Sequence, residues 1–444
     1  MVELARKAGI DPVEFRLLNA NEPYSETPQK FKITTCGLKE CIKEAAERIG
    51  FGEKKEPYEG VGIAGMFHVG GGGRVYKSDA CGVIAKLDDF GRLSIMTGAT
   101  EIGTGSDTAM AMIAAEELGL PLDAVSVVNN DTDIGPWDVG IHASRMTFIG
   151  GNAVIRACRD IKRQLARYAA EKLDSDPRDF VFEHGMITDR TNPDKSIAID
   201  RLVRSMHFRE QGKMVVGRAF YDPPNEFQAP DLTGNVSASY AFAAHAVRVK
   251  IEPETGKVKV LKFVAAHDVG RVINRLGLVG QIEGAIAQGL GYALTEQMLF
   301  KEGKLLNNSY TDYKMLLSRD MPREIELVFV ETHDPEGPYG AKGVSEAGLI
   351  PTAAAVANAI GDAIGVRMHE LPITPEKILR AIKEKELHDG QEPEQTPISW
   401  GLPEIHEPPQ SIETVEVQQE APGEQEASES GEADEAAESG ESSE

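Results

Sequence analysis

Cysteine, aromatic residues and long apolar runs are all scarce in this 444-residue chain. Its four cysteines, Cys36, Cys41, Cys81 and Cys158, have no paired metal-ligand spacing and form no disulfide framework. Cys36 and Cys41 also lack the third nearby cysteine that a plant-type iron–sulfur spacing needs. No apolar segment approaches the roughly 18–20 residues of a membrane span, and the N-terminus has no signal pattern. These absences predict a cytoplasmic protein with reduced thiols and no membrane partner.

Positive charge is missing from one end of the chain. Residues 387–444 hold 17 acids and neither Lys nor Arg, so that only about −7 of the net charge of −24 remains for residues 1–386. Residues 414–444 also lack aromatic residues and cannot bury enough apolar surface to offset the entropy of ordering. We therefore predict that residues 387–444 form a Pro-rich and then acidic disordered tail. Without a basic stripe, nucleic acid is not an expected partner.

Helical and strand patterns alternate along the rest of the chain. The spacing of apolar residues predicts helices at 1–18, 37–49, 107–118, 151–173, 280–298 and 375–385, and an alanine-rich helical run that ends near Gly365. Strands are predicted at 80–87, 93–97, 124–129, 214–220 and 241–264, the last interrupted by a turn at 253–256. Ser106 is the predicted cap of the third helix. The mixture favours an α+β fold with layered mixed sheets and packed helices.

One glycine-rich loop places a carboxylate beside a predicted helix. Residues 337–346 read Gly-Pro-Tyr-Gly-Ala-Lys-Gly-Val-Ser-Glu, and Pro351 and the alanine-rich run follow. Glycines let a backbone approach a ligand closely, and a helix N-terminus offers free N–H donors to an anion. Glu346 is therefore a candidate general base beside a bound anion. The alternative is a tight turn in which Glu346 is a solvated or helix-capping acid.

A second glycine-rich loop, residues 98–108, lies between a predicted strand and a predicted helix, an arrangement that can hold phosphate groups. Thr108 stands where a dinucleotide-binding fingerprint has its third glycine, and the lysine of a P-loop is missing. The loop is therefore either an anion site of another type or a plain strand-to-helix turn.

Several polar residues outside these loops are further candidates. Ser144 and Arg145 can face the same anion, although a lone arginine in a turn is commonly a salt-bridge partner. Gln281 begins a helix rich in small residues. His68 and His267 are isolated, match no zinc spacing and are expected to be structural. No side chain is predicted to ligate a metal.

Four blocks of the sequence occur in a recognisable order, at residues 97–108, 144–153, 268–291 and 340–346. Together they resemble the molybdenum-binding large subunit of the xanthine dehydrogenase and aldehyde oxidase family, and the last block matches its Gly-Ala-Lys-Gly-x-x-Glu motif. The amino-acid sequence at residues 144–148 and 226–228 is most similar to the 4-hydroxybenzoyl-CoA reductase branch. The sequence departs from the family at Arg275, where a proline is usual.

The resemblance implies a role for each block. A molybdopterin cofactor carrying molybdenum, with its cytosine dinucleotide form as one option, would contact Gly103, Thr104, Gly105, Ser144, Arg145, Gln281, Lys342, Gly343 and Val344. Thr104 stands where the family commonly has glutamine, so one side-chain contact is shortened. Glu346 would be the catalytic base for attack on an electron-poor carbon of an aromatic ring or an aldehyde.

The resemblance also implies a domain order and partners. Residues 1–58 would be a helical lead-in that continues from an absent N-terminal half. Residues 59–386 would form the molybdopterin-binding region, with the fold found in molybdenum hydroxylases and two subdomains that meet near residues 210–240. The expected partners are a chain supplying the N-terminal half, an iron–sulfur subunit, a flavin (FAD) subunit and a small-molecule substrate.

Different functions remain open on the sequence alone. A catalytic half-subunit would oxidise an aromatic heterocycle or aldehyde, or would carry out the reductive dehydroxylation of 4-hydroxybenzoyl-CoA reductase. A non-catalytic remnant or assembly subunit would keep the fold without turnover. The presence of Lys342 and Glu346 favours the catalytic half-subunit.

Overall fold

Two four-stranded sheets organise the residues that the computed structural model describes, which are 1–72, 78–209 and 212–387. These residues belong to a compact unit that spans Met1–Pro393. The predicted disordered tail, apart from Leu387, lies outside the described residues. No helix in the described ranges is long and apolar enough to cross a membrane.

The helices of the described residues are α1 Val2–Ala8, α2 Pro12–Leu18, α3 Leu38–Ile49, α4 Ser106–Leu118, α5 Gly151–Leu173, α6 Ile199–Arg209, α7 Arg275–Leu294, α8 Thr352–Ile364 and α9 Pro375–Leu387. The strands are β1 Ser25–Glu26, β2 Lys32–Ile33, β3 Glu59–Val69, β4 Cys81–Leu87, β5 Leu93–Thr97, β6 Val125–Val128, β7 Phe180–Glu183, β8 Met186–Asp189, β9 Ser196–Ala198, β10 Val215–Tyr221, β11 Tyr240–Ile251, β12 Val258–Asp268, β13 Phe300–Lys301, β14 Lys304–Leu305 and β15 Glu324–Val330.

The first large sheet has the strand order β10-β4-β5-β6. Its first three strands are antiparallel, and β6 runs parallel to β5 because α4 crosses between them. Helix α5 lies on β10 and β4, and its approach requires a glycine, since a Cβ at Gly217 would overlap the Ala157 carbonyl oxygen. The buried residues between this sheet and helices α4 and α5 form one core.

The second large sheet, β15-β12-β11-β3, is covered on both faces. Phe242, Ala244 and Ala246 of β11 pack toward α3. The intervening side chains of the same sheet, including Val247 and Phe263, pack against α7, α8 and α9. The alternation follows the two-residue period of a strand and produces a helix–sheet–helix sandwich. The predicted α+β class with layered sheets is confirmed.

Helix α8 rests directly on the edge strand β3. A Cβ at Gly62 would overlap the carbonyl oxygen of Ala355, so only glycine allows this approach. Two side chains of α8 also satisfy the free edge of the strand: Asp362 accepts the Val61 N–H at 2.8 Å, and Asn358 donates to the Ile63 carbonyl at 3.0 Å. Both contacts protect an edge that would otherwise be open to pairing with another chain.

Most element predictions agree with this fold, and the differences have local causes. The predicted helix 1–18 is two helices, because Gly9 ends α1 in a left-handed conformation and Asp11 caps α2. The turn at 253–256 does join two antiparallel strands, β11 and β12. Ser106 is not the cap of α4 but its first residue, and Gly105 occupies the cap position.

The contact between β3 and α8 can be tested with a matched pair of glycine substitutions. Gly62→Ala should lower the free energy of unfolding by about 1–3 kcal/mol, because the new methyl group forces α8 away from the sheet. Gly65→Ala on the same strand is the control, since its nearest neighbour outside the strand would be 3.6 Å away. Denaturant unfolding of both variants measures the difference, and equal losses would contradict the close packing of α8.

Candidate active site

A cavity of about 260 Å³ gathers almost all of the predicted site residues. It lies between the loop that follows β5, the separate segment 141–147, the beginning of α7 and the loop that precedes α8. Its lining includes Thr104, Gly105, Ser144, Arg145, Gln281, Lys342, Gly343, Val344 and Glu346. Gly103 adjoins the cavity, and its carbonyl accepts a hydrogen bond from Gln281 Nε2 at 3.3 Å. Segments far apart in the sequence therefore meet at one place, whereas the ligand roles of the individual residues remain predictions.

Glu346 carries the carboxylate of this cavity, and its side chain is about half exposed (49%). Its Oε2 atom accepts hydrogen bonds from His68 Nε2 at 2.9 Å and from Ser144 Oγ at 3.1 Å. The bond from His68 is the main reason that the pKa of Glu346 lies below its ordinary value; burial opposes the shift, and Ser144 and His142 reinforce it. The group is therefore ionised at neutral pH, as a proton acceptor must be.

Ser144 sits in a strained turn that fits against the Glu346 loop. Ala143 and Ser144 have φ angles of 46° and 54°, a left-handed conformation that is uncommon for residues other than glycine and clusters at functional sites. The Ser144 hydroxyl accepts the amide N–H of Glu346 at 3.0 Å while it donates to the carboxylate. A Cβ at Gly343 would overlap the Ser144 carbonyl oxygen, so the two loops touch only because residue 343 is glycine.

Three consecutive amides line the same cavity. The N–H groups of Gly343, Val344 and Ser345 donate no hydrogen bond to any atom in the described part of the chain, although Gly343 is buried. Buried amides almost always have a partner, and a row of unpaired amides is a typical anion-binding arrangement. These donors are available to an acceptor-rich anionic ligand.

The Arg145 guanidinium is fully engaged within the protein. It forms a buried salt bridge to Asp79 at 2.8 Å and another to Asp138 at 2.8 Å. Its remaining donors reach the main-chain carbonyls of Asp79, Ala80 and Gly140. The side chain therefore holds the strained turn in place, and a cofactor contact at this residue would have to use its main chain.

The Lys342 ammonium is also engaged and buried. Its Nζ atom lies 2.7 Å from Asp268 Oδ2 and 3.3 Å from the carbonyl of Thr35, and it sits over the ring of Phe242. The other oxygen of Asp268 accepts the amide of Gly270 at 3.1 Å. Lys342 thus anchors the loop that carries Glu346, and the adjacent residues, not its charge, face the cavity.

A carboxylate of the chain itself occupies the loop that was predicted to bind an anion. Glu101 accepts the amides of Gly103, Gly105 and Asp107 and the hydroxyl of Ser106, at 2.6–3.2 Å. Burial alone would raise the pKa of Glu101, but these hydrogen bonds lower it to about 2. Gly105 occupies the cap position of α4, and the Glu101 side chain supplies the acceptor that Gly105 lacks, so that Ser106 is not needed as a cap. Thr104 lines the cavity, and its hydroxyl donates to the same carboxylate at 3.4 Å.

Two histidines lie in the core behind the Glu346 loop. His245 Nδ1 contacts Thr352 Oγ1 at 3.0 Å, and His245 Nε2 contacts His267 Nε2 at 2.9 Å. Burial lowers the pKa of His267 to about 3 and the pKa of His245 well below its ordinary value, so both rings are neutral. The expectation that His267 is structural agrees with this burial. The His68 contact with Glu346 was missed, because an isolated histidine before a run of glycines carries no spacing signal.

Comparison with known proteins gives consistent matches. The family profile described as "Molybdopterin cofactor-binding domain" matches residues 37–322. The chain is 30% identical over 396 residues to the xanthine dehydrogenase molybdenum-binding subunit of Escherichia coli O157:H7, covering 85% of this chain and 50% of that protein. It is 31% identical over 407 residues to the nicotine 6-hydroxylase large subunit of Paenarthrobacter nicotinovorans, covering 86% and 49%.

A solved structure shows the same fold. Quinoline 2-oxidoreductase from Pseudomonas putida 86 superposes with a TM-score of 0.77 at 27% identity, covering 86% of this chain and 50% of that chain. The chain therefore spans about half the length of the relatives it matches.

The cap formed by Glu101 predicts a pH-dependent stability. Glu101→Gln should lower the free energy of unfolding at neutral pH by about 1–2 kcal/mol, the usual range for a lost helix cap. Because the folded pKa is depressed, this stabilisation is present above the ordinary value of 4.5 and is lost as the pH falls toward about 2. Denaturant unfolding across this range should show the wild type converging on the variant.

Glu116→Gln, an exposed acid on the same helix, is the control and should change stability by less than about 0.5 kcal/mol. A constant difference between wild type and Glu101→Gln across the pH range would contradict the assignment of the cap.

Proposed function

The chain belongs to the molybdopterin cofactor-binding domain family, and on that premise we propose that it is the catalytic portion of a molybdenum hydroxylase's molybdenum-binding subunit. The observation that carries the proposal is the ionised Glu346 carboxylate beside the three unpaired amides of 343–345 in one cavity. The relatives compared above are named for xanthine, nicotine and quinoline, which are nitrogen heterocycles, and a further relative is named as an aldehyde oxidoreductase subunit. These names support an aromatic heterocycle or an aldehyde as the class of substrate, oxidised at an electron-poor carbon.

The residues of the cavity suit a molybdopterin cofactor. The amides of Gly343, Val344 and Ser345 would donate to its acceptor atoms. Thr104 and Gln281, whose side chains contact Glu101 and the Gly103 carbonyl, would line the same cavity. When bound, the cofactor supplies the metal centre that takes up two electrons from the substrate. The profile match ends before the 340–346 loop, so the role of Glu346 is argued from its geometry and from the sequence motif.

Glu346 would act as the general base through its free oxygen. Oε2 is occupied by two donors, whereas Oε1 accepts no hydrogen bond from the described residues. The proton that leaves during the reaction would therefore be received at Oε1. The contacts with His68 and Ser144 keep the carboxylate oriented while its charge is neutralised, since neither donor depends on Oε1.

Partner chains complete the proposed enzyme. The chain spans about half of its relatives, and we propose that residues corresponding to the other half of those proteins complete the cavity. Electrons would leave through an iron–sulfur subunit and a flavin subunit. The cytosine dinucleotide form of the cofactor fits this proposal equally well, because the free amides do not distinguish it from the shorter form.

Glu346→Gln tests the base directly. The amide keeps the size of the side chain but cannot accept a proton at neutral pH, so turnover per bound molybdenum should fall by at least roughly 100-fold while cofactor content is retained. Steady-state rates of the assembled complex and elemental analysis measure both quantities. Glu336→Gln in the same loop region is the control. A Glu346→Gln enzyme within about threefold of wild type would remove the catalytic role.

Assembly of the complete cavity provides a separate test of this proposal. The purified chain should bind little molybdopterin, and co-expression with a chain that carries the N-terminal half should give nearly one molybdenum per complex. The physical reason is that the relatives are about twice as long as this chain, so the residues of their other half would be needed to complete the cavity. Elemental analysis of both preparations decides the matter, and a fully loaded solitary chain would contradict the proposed partner.

A further inference from the structure

We propose that His68 is a positioning residue that holds the Glu346 carboxylate by its Oε2 atom and so leaves Oε1 free to receive a proton. The inference rests on the proposed function of Glu346, but it concerns a residue outside all four sequence blocks. It is carried by the 2.9 Å contact between His68 Nε2 and Glu346 Oε2.

The support for His68 is rigid, whereas Glu346 lies in a loop. His68 is the penultimate residue of β3 and pairs with Ala241 of the neighbouring strand. The backbone just beyond it is fixed by two further bonds, from the Gly70 amide to Ser239 and from the Gly71 amide to Ala143, both 2.8 Å. Only 20% of the imidazole is exposed. A sheet residue can therefore fix the position of a loop carboxylate more accurately than another loop residue could.

The contact also fixes the state of the ring. A carboxylate oxygen can only accept a hydrogen bond, so His68 Nε2 must carry the proton. Ser144 donates to the same oxygen from a different segment, so the carboxylate is held from two directions. The arrangement resembles the third group that orients a catalytic base in other enzymes, with the imidazole and carboxylate exchanged.

The other charged groups around Glu346 are accounted for. His142 faces it from the 138–147 segment, with its Nε2 at 3.6 Å from Asp79. Asp79 is neutralised by Arg145. Lys342 on the Glu346 loop is neutralised by Asp268, and Arg271, whose guanidinium lies over the Tyr339 ring, contributes an exposed charge to the cavity wall. His68 and the Ser144 hydroxyl are thus the two donors in direct contact with the carboxylate, and His68 is the nearer of them.

The first experiment follows Glu346 in the full-length chain without substrate. Glutamate labelled with ¹³C at the carboxyl carbon gives one resonance that is missing from Glu346→Gln, and its titration reports the pKa of Glu346. His68→Ala should raise that pKa by about one pH unit, because the carboxylate loses its direct donor. His68→Gln, which keeps a neutral N–H donor, should give an intermediate value. His369→Gln, at a separate cavity beside Arg367, should leave the titration unchanged.

A merely structural role would lower thermal stability without moving this titration. An unchanged pKa of Glu346 in His68→Ala, at a retained melting temperature, would overturn the proposal. Where the alanine variant does not fold, His68→Gln and His68→Phe decide the matter. A Glu346 titration equal to wild type in His68→Gln, together with normal turnover in His68→Phe, would overturn the proposal.

The second experiment measures turnover in the assembled complex. His68→Ala should keep the molybdenum content and lower turnover at neutral pH by about 10-fold or more, the scale of a misplaced reactive group. The acid limb of the kcat/KM profile should move to higher pH, because Glu346 must be deprotonated to act, and His68→Gln should recover part of the rate. Unchanged rate and acid limb in His68→Ala would contradict the proposal.

The two hypotheses fail in different ways. An active Glu346→Gln complex would refute the role of Glu346 as general base. It would leave intact the effect of the His68 substitutions on the Glu346 titration measured by NMR. An unmoved titration in the His68 variants would refute the positioning role even where Glu346→Gln abolishes turnover.

Discussion

The buried ion pair between Asp268 and Lys342 supports everything on the Glu346 side of the cavity. Asp268 ends β12 and also accepts the Gly37 amide at 2.9 Å and the Thr332 hydroxyl at 2.7 Å, so a single carboxylate joins the sheet, the beginning of α3 and the site loop. Such a pair contributes little net stability when intact, yet removing one partner leaves an uncompensated buried charge that costs several kcal/mol. Its value is geometric. Once Lys342 is fixed, the residues that follow it must pass close to the Ser144 turn. Gly343 allows this close contact with the Ser144 carbonyl because it has no side chain.

The two cations of the predicted cofactor site, Arg145 and Lys342, are both neutralised by carboxylates of the chain. The Gly103 and Gly105 amides likewise donate to Glu101. In the proposed site, recognition of an anion would therefore depend on neutral main-chain dipoles rather than on these two cations. That division is physically reasonable, because a strong cation beside Glu346 would hold the proton acceptor in its ionised form too firmly for it to accept a proton. The charged side chains would shape the walls, and the backbone would make the contacts.

Local signals in the sequence were sufficient for much of this structure. Pro351 and Gly365 bracket α8, and the alternation of apolar residues in 241–264 located two strands of the second sheet. The role of Ser106 could not be read locally, because the competing cap, Glu101, reaches the helix end only through the turn formed by the glycines. The contact with His68 depends on a pairing between residues that are 278 positions apart, which no spacing rule encodes. The sequence thus identified which segments form the cavity, while the direction of individual side chains required the packed fold.

The Gly348 carbonyl determines the tautomers of the two core histidines, His245 and His267, through the Thr352 hydroxyl. The Thr352 hydroxyl donates to the Gly348 carbonyl at 3.1 Å, so it can only accept from His245 Nδ1. His245 Nε2 is then unprotonated and accepts from His267 Nε2, which leaves His267 Nδ1 as a buried lone pair without a donor among the described residues. Every tautomer in this row follows from the first bond. The row can pass a proton only if all of its tautomers reverse together, so the bond from Thr352 to the Gly348 carbonyl holds two sheet residues in one proton arrangement.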